Sequence, residues 1–218
     1  MSRNKTKIKA VIFDMGKVIL KVDHMIACNK FSRYCHLGPE EIYNRIIGSE
    51  LEDALERGFI NPDTFYKAIS EKLGINLAFN RFDTIFSDVF SYNDGMAEII
   101  DDLKQRVEVL LLSNTNLLHF RWVEKKFRVL KKFDNRVLSF KVGFRKPEPE
   151  IYLNALDILK FMPEETIYID DIEEYVEGAR KLGINGIVFK CLDFFKSELL
   201  KYYLWLLYLS KLILIYVY

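Results

Sequence analysis

The chain has 218 residues, half of them apolar and 29% charged, with 32 Lys and Arg against 31 Asp and Glu. That length buries a proper core in one domain and leaves room for a sizeable insertion. The near-zero net charge excludes a protein that gathers nucleic acid through its overall field, so any anionic ligand must be caught locally.

Met1 to Lys9 is basic but has no long apolar stretch before Asp14, which predicts no signal peptide. Ile8 to Phe13 reads as a first buried strand, too short for a helix and containing Val and Ile. Residues 24 to about 92 read as mostly helical. Within them Asn61-Pro62-Asp63 is a helix start, with Asn as N-cap and Pro at the first helical position, and Gly74 is its stop. Ser49 before Glu50-Leu51-Glu52 is a second start and Gly58 a second stop. Beyond Asp94-Gly95, helices alternate with short apolar strands at 107–112, 136–141, 166–170 and 186–189. That alternation predicts an α/β fold, a parallel sheet with helices on both faces. The helical stretch then reads as an insertion after the first strand.

Leu199 to Tyr218 is rich in Leu, Tyr and Ile and is interrupted by Lys201, Ser210 and Lys211. A spanning helix needs about 20 apolar residues, and a lysine at its centre costs about 3 kcal/mol, so this tail is a poor span. Packing on the domain or on a second copy of the chain is the favoured reading, with membrane contact behind it. The cysteines, Cys28, Cys35 and Cys191, are an odd and sparse set that suits a reducing, cytoplasmic setting.

Four polar clusters stand just after, or shortly downstream of, these strands. They are Asp14; Ser113-Asn114; Lys146 in Arg145-Lys146-Pro147; and Asp170-Asp171. In parallel sheets ligands gather beyond the carboxyl ends of strands, so four segments aim polar groups at one rim. Asp14 is the candidate nucleophile, because a carboxylate attacks phosphorus to give an aspartyl-phosphate. Two anions repel, so cations are required. Mg2+ takes carboxylate, phosphate and water oxygens, which Asp14, Asp171, neighbouring Asp170 and the Gly16 carbonyl supply. Lys146 neutralises phosphate, while Ser113, Asn114 and backbone N–H groups at the next helix hold its oxygens. Each residue also has a plain structural reading: a turn at Asp14, a helix cap at Ser113-Asn114, a solvated Lys146, a cap at Asp170-Asp171 for a helix over 173–182. Their joint placement favours the functional one.

The motifs resemble those of the haloacid dehalogenase superfamily. Phe13-Asp14-Met15-Gly16-Lys17-Val18 resembles its first motif, Leu112-Ser113-Asn114-Thr115 its second, Arg145-Lys146-Pro147 its third and Tyr168-Ile169-Asp170-Asp171 its fourth. The wording is most similar to a branch with a sugar-1-phosphate phosphatase and the N-terminal phosphatase domain of soluble epoxide hydrolase. The resemblance implies a three-layer, Rossmann-like parallel sheet core over 1–23 and 93–198, and a helical cap over 24–92. It implies catalytic Asp14 and Lys146, phosphate on Ser113, Asn114 and Lys146, and Mg2+ on Asp14, Gly16, Asp171 and Asp170. The expected activity is Mg2+-dependent hydrolysis of a small phosphorylated metabolite, such as a sugar phosphate. Alternatives are a metal-independent dehalogenase, or a non-catalytic binding protein on the same scaffold. A homo-oligomer is compatible with the apolar tail, and no nucleic acid is expected.

Two positions depart from the family pattern. Gly16 stands where most family phosphatases carry a second aspartate that protonates the leaving group, and Asp23 is a candidate replacement if the chain folds back. Tyr175 stands where Asn or Asp is common. His24 with Cys28, and Cys35-His36, do not match a zinc pattern. Phe31, Tyr34, Tyr43, Phe59, Phe65 and Tyr66 are expected in the core of the helical insertion.

Overall fold

The computed structural model describes residues 7–202 and 204. A five-stranded parallel sheet forms its centre. β1 (Ala10–Phe13), β4 (Glu108–Ser113), β5 (Asn135–Leu138), β6 (Thr166–Asp170) and β7 (Asn185–Val188) lie in the order β5-β4-β1-β6-β7. The strands are short, continuous apolar runs because both faces are covered. Side chains alternate across the pleat, so each strand feeds two cores. Ala10, Ile12, Leu110, Leu112 and Tyr168 face one, with Ile151, Tyr152 and Ala155 of α9 (Pro149–Leu159) and Val176 and Ala179 of α10 (Glu173–Arg180). Val11, Phe13, Val109, Leu111, Ile167 and Ile169 face the other, with residues of α6 (Met96–Lys104), α7 (Leu117–Lys126) and α11 (Leu192–Lys201). The result is three layers, α/β/α, as the sequence predicts.

The insertion carries five helices: α1 (Met25–Phe31), α2 (Pro39–Ile46), α3 (Glu50–Glu56), α4 (Pro62–Leu73) and α5 (Phe79–Ser87). Their starts follow the expected chemistry. Ser49 Oγ accepts the Glu52 N–H at 3.3 Å, and Asn61 Oδ1 accepts the Thr64 N–H at 2.9 Å. Gly74 closes α4 at φ 67°, the left-handed region that glycine enters without steric cost. Phe31, Phe65, Phe82 and Phe86 pack ring on ring inside the insertion, whereas Phe59 is 69% exposed and belongs to no core.

Two features differ from the sequence expectation. The insertion is tied at its base by an antiparallel pair, β2 (Leu20–Val22) with β3 (Phe90–Tyr92), and β3 lies within the stretch read as helical. Three residues are too few to display a period of two. The strand expected over 136–141 stops at Leu138, and residues Ser139–Val142 turn into a short helix, α8. Ser139 Oγ bonds both Thr115 N–H and Thr115 O, at 2.9 Å each, which pulls the chain out of the sheet. Most of the apolar tail, 199–218, lies outside the described residues. Of it, Leu199 is buried on α11 and the Leu204 carbonyl accepts from Arg106 at 2.8 Å. Among the described residues no helix is long and apolar enough to cross a membrane.

Candidate active site

β1 carries the chain to Asp14, whose N–H still bonds Ile169 O of β6 at 2.9 Å, so the carboxylate emerges fixed at the sheet rim. β4 ends on Ser113 and β6 on Asp170, at the same rim. Lys146 arrives from a loop rather than a strand end. Its position is held through its peptide: Asn114 Oδ1 accepts the Lys146 N–H at 2.8 Å, and Asn114 Nδ2 donates to Lys146 O at 3.1 Å. The following peptide, Lys146–Pro147, is cis. Asn116, not Ser113 or Asn114, caps α7 by accepting the His119 N–H at 3.0 Å. That leaves the two preceding residues to the site.

Lys146 Nζ donates to Asp14 Oδ1 at 2.5 Å and to Asp170 Oδ2 at 2.6 Å. All three side chains are buried, so this charged bridge sits in low dielectric where its attraction is strong. Asp170 also accepts from the Tyr168 hydroxyl and, at 2.9 Å, from the Ile172 N–H. Asp171 is less enclosed and lies 3.6 Å from Lys17 Nζ. Burial pushes the Asp14 carboxyl up, against the pull of Lys146, and pushes Asp171 up as well. Lys146 holds its proton between two carboxylates. The Tyr175 ring lies 5.1 Å from Lys146 Nζ, so the position that departs from the family pattern faces the lysine as a cation–π partner.

Carboxylate oxygens of Asp14, Asp170 and Asp171 lie within 4.8 Å of one another. An all-oxygen donor set of this kind suits a hard divalent cation such as Mg2+. Asp170 is the most committed of the three to protein donors, which leaves Asp14 and Asp171 better placed as direct ligands.

A cavity of about 320 Å³ opens above this floor. The insertion supplies its far wall through His24, Tyr43, Glu52 and Glu56, while Arg145 and Tyr175 line the core side. Asp23 is not part of it. Its Oδ1 accepts the Met25 N–H at 2.9 Å in an exposed turn that opens α1, so the fold-back does not occur. His119 also lines the cavity but has a fixed tautomer. Its Nδ1 accepts from Asn116 Nδ2 and its Nε2–H donates to Phe86 O, each at 3.1 Å, and burial holds its pKa down at about 3.

Arg145, Glu52 and Glu56 are site residues that sequence reasoning passes over. Arg145 bonds Asp53 and stands 2.7 Å from Glu56 through Nη2. Arg57, one residue beyond α3, reaches Glu148 at 2.6 Å and 3.0 Å and Gly143 O at 3.3 Å. These links dock α3 onto the loop that holds Lys146. The available signal was the i, i+4 spacing of Glu52 and Glu56, which puts both on one helix face.

Residues 11–189 match the family model for haloacid dehalogenase-like hydrolases. The chain is 26% identical over 185 residues to a D-ribitol-5-phosphate phosphatase of Bacteroides thetaiotaomicron, covering 82% of this chain and 90% of that one. It is 28% identical over 190 residues to a sesquiterpene phosphatase of Aspergillus oryzae, covering 84% and 90%. Among solved structures it superposes with a TM-score of 0.76, at 27% identity, on a Bacteroides thetaiotaomicron HAD family enzyme in complex with magnesium and inorganic phosphate. That match covers 84% of this chain and 95% of that one. By sequence, sheet order and the placement of all four motifs, the chain belongs to the haloacid dehalogenase-like hydrolases and is an enzyme of that family.

Proposed function

We propose that the protein is a Mg2+-dependent phosphatase that hydrolyses a small phosphorylated metabolite, a sugar or polyol phosphate, through an aspartyl-phosphate on Asp14. The observation that carries this reading is the buried Asp14 carboxylate bridged by Lys146 beside Asp171. Named relatives act on ribitol 5-phosphate and on phosphorylated carbohydrates, and a structural neighbour binds magnesium with phosphate.

Asp14 Oδ1 is engaged by Lys146, so Oδ2 is the oxygen presented to phosphorus. Lys146 balances charge on the nucleophile and on the phosphoryl oxygens. The Ser113 hydroxyl and the backbone N–H groups ahead of α7 hold those oxygens. Asn114 acts through Lys146, whose peptide it clamps. Mg2+, held by Asp14, Asp171 and the Gly16 carbonyl, would supply the remaining charge neutralisation. The insertion serves as a cap that excludes water. Catalysis of this kind is mostly positioning and electrostatics. Lys146 offsets Asp14 and Asp170, and the third converging carboxylate, Asp171, calls for a further cation, which speaks against a metal-free dehalogenase. The free thiols Cys28, Cys35 and Cys191 support a reducing compartment, the cytoplasm.

The test is Mg2+-dependent release of phosphate from 4-nitrophenyl phosphate. The Asp14→Asn variant is expected to lose turnover to background. Equal rates in variant and wild type would remove the reading.

A further inference from the structure

We propose that Glu56, on helix α3 of the insertion, is the proton donor to the leaving oxygen, the task for which the Asp14 loop provides no side chain. The inference rests on the phosphatase reading and names the residue that completes it.

An alkyl phosphate expels an alkoxide unless a positioned acid protonates it. Met15, Gly16 and Lys17 follow the nucleophile and hold no carboxyl. Lys146 is locked between Asp14 and Asp170. His119 is neutral, with both ring nitrogens engaged by protein. Burial lowers His24, so it carries no spare proton at neutral pH. Tyr175 is raised by burial and faces Lys146. Once the acidic floor is set aside, Glu52 and Glu56 are the carboxyls among the described cavity-lining residues.

The two sit one helical turn apart on α3 and face the same cavity as Asp14. Burial, then the charge of Glu56, pushes Glu52 up to about 7, and burial raises Glu56 too. Arg145, Lys146 and Arg57 pull the other way on Glu56, while Asp53 adds to the rise. Both carboxyls are thus pushed toward the protonated form. Glu56 is the member free to act, because Glu52 is tethered by the Gly48 N–H at 2.6 Å, whereas Glu56 has the Arg145 guanidinium 2.7 Å away as a charge partner and no hydrogen bond that fixes its carboxyl.

The step balances. Asp14 forms a bond to phosphorus as the bond to the leaving oxygen breaks, and the Glu56 proton goes to that oxygen to give the alcohol. The Glu56 carboxylate then takes a proton from the water that attacks the aspartyl-phosphate, releasing phosphate and free Asp14.

The experiment compares kcat/KM, which reports transfer of the phosphoryl group to Asp14 and not the later hydrolysis, for ribitol 5-phosphate and for 4-nitrophenyl phosphate, whose leaving group departs readily as an anion. In Glu56→Gln the alkyl rate is expected to fall about a hundredfold, and at least tenfold more than the aryl rate, the span of a lost general acid. The basic limb of the alkyl pH profile should disappear with it. Gly16→Asp in the Glu56→Gln background is expected to recover alkyl turnover. There is space for it, since a Cβ at residue 16 meets Val22 Cγ2 at 3.5 Å and Asp14 Oδ2 at 3.9 Å. Equal losses of kcat/KM on both substrates would overturn the proposal in favour of a binding role. Wild type alone also decides. Its kcat/KM across a series of phosphate esters should depend weakly on leaving-group pKa, and a steep dependence would refute a proton donor. Absence of any Asp14-dependent turnover would instead remove the phosphatase reading, and the proposal with it.

Discussion

Glu52 shows how one side chain couples the site to stability. An unfolded glutamate ionises near 4.5, whereas burial and Glu56 hold the folded Glu52 carboxyl up at about 7. Between those values the folded state keeps a proton that the unfolded state has lost, so stability is present below the lower value and declines as pH rises through the upper one. Glu52→Gln keeps the acceptor for Gly48 N–H and removes the titration. Its melting temperature is expected to fall less than that of wild type between pH 5 and pH 8. Parallel decline in both would show that Glu52 ionises normally. Other residues divide sharply in how visible they were beforehand. Asp14 and Asp170-Asp171 were legible because they end buried runs in a place where a parallel sheet gathers ligands, and Lys146 because it lies shortly downstream of one. Glu52, Glu56 and Arg145 were not, because charges on short helices are ordinarily solvated, and only the docking of α3 encloses them.

At the scale of elements, the sheet strands announced themselves as unbroken apolar runs because both faces are covered. The β2–β3 pair did not, since three residues carry no period and its register depends on partners as distant in sequence as Leu20 and Tyr92. The seat of α3 was equally hidden, because it is made at Gly58. That residue has φ 69°, and a Cβ there would stand 2.2 Å from Phe140 O. Gly74 has a similar φ of 67° but nothing within 4 Å. Gly58→Ala therefore adds a backbone clash to the left-handed strain, whereas Gly74→Ala carries strain alone, about 1 kcal/mol. Urea melts are expected to show Gly58→Ala as the more destabilised of the two, with turnover reduced as well. If the two variants melt together, α3 is not held at this contact.

For the whole molecule, the arrangement of floor and far wall makes ligand binding a property of the folded state. Mg2+ with beryllium fluoride, a phosphoryl mimic, is expected to raise the melting temperature, since a ligand bound only to the native form at a hundredfold excess over Kd adds about 2.7 kcal/mol. In Asp14→Asn the beryllium fluoride increment should vanish. No shift in wild type would favour a scaffold that has lost its chemistry.

Arg145 and Lys146 are chain neighbours with opposite allegiances. One grips the insertion through Asp53 and Glu56, and the other grips the nucleophile. Glu148, two residues on, holds Arg57 and also accepts the Arg145 N–H at 2.9 Å. A swing of the insertion away from the sheet would thus tug on the peptide adjoining the ammonium that steadies Asp14. Admission of substrate and arming of the nucleophile share one short stretch of backbone, as a door shares its hinge with the latch.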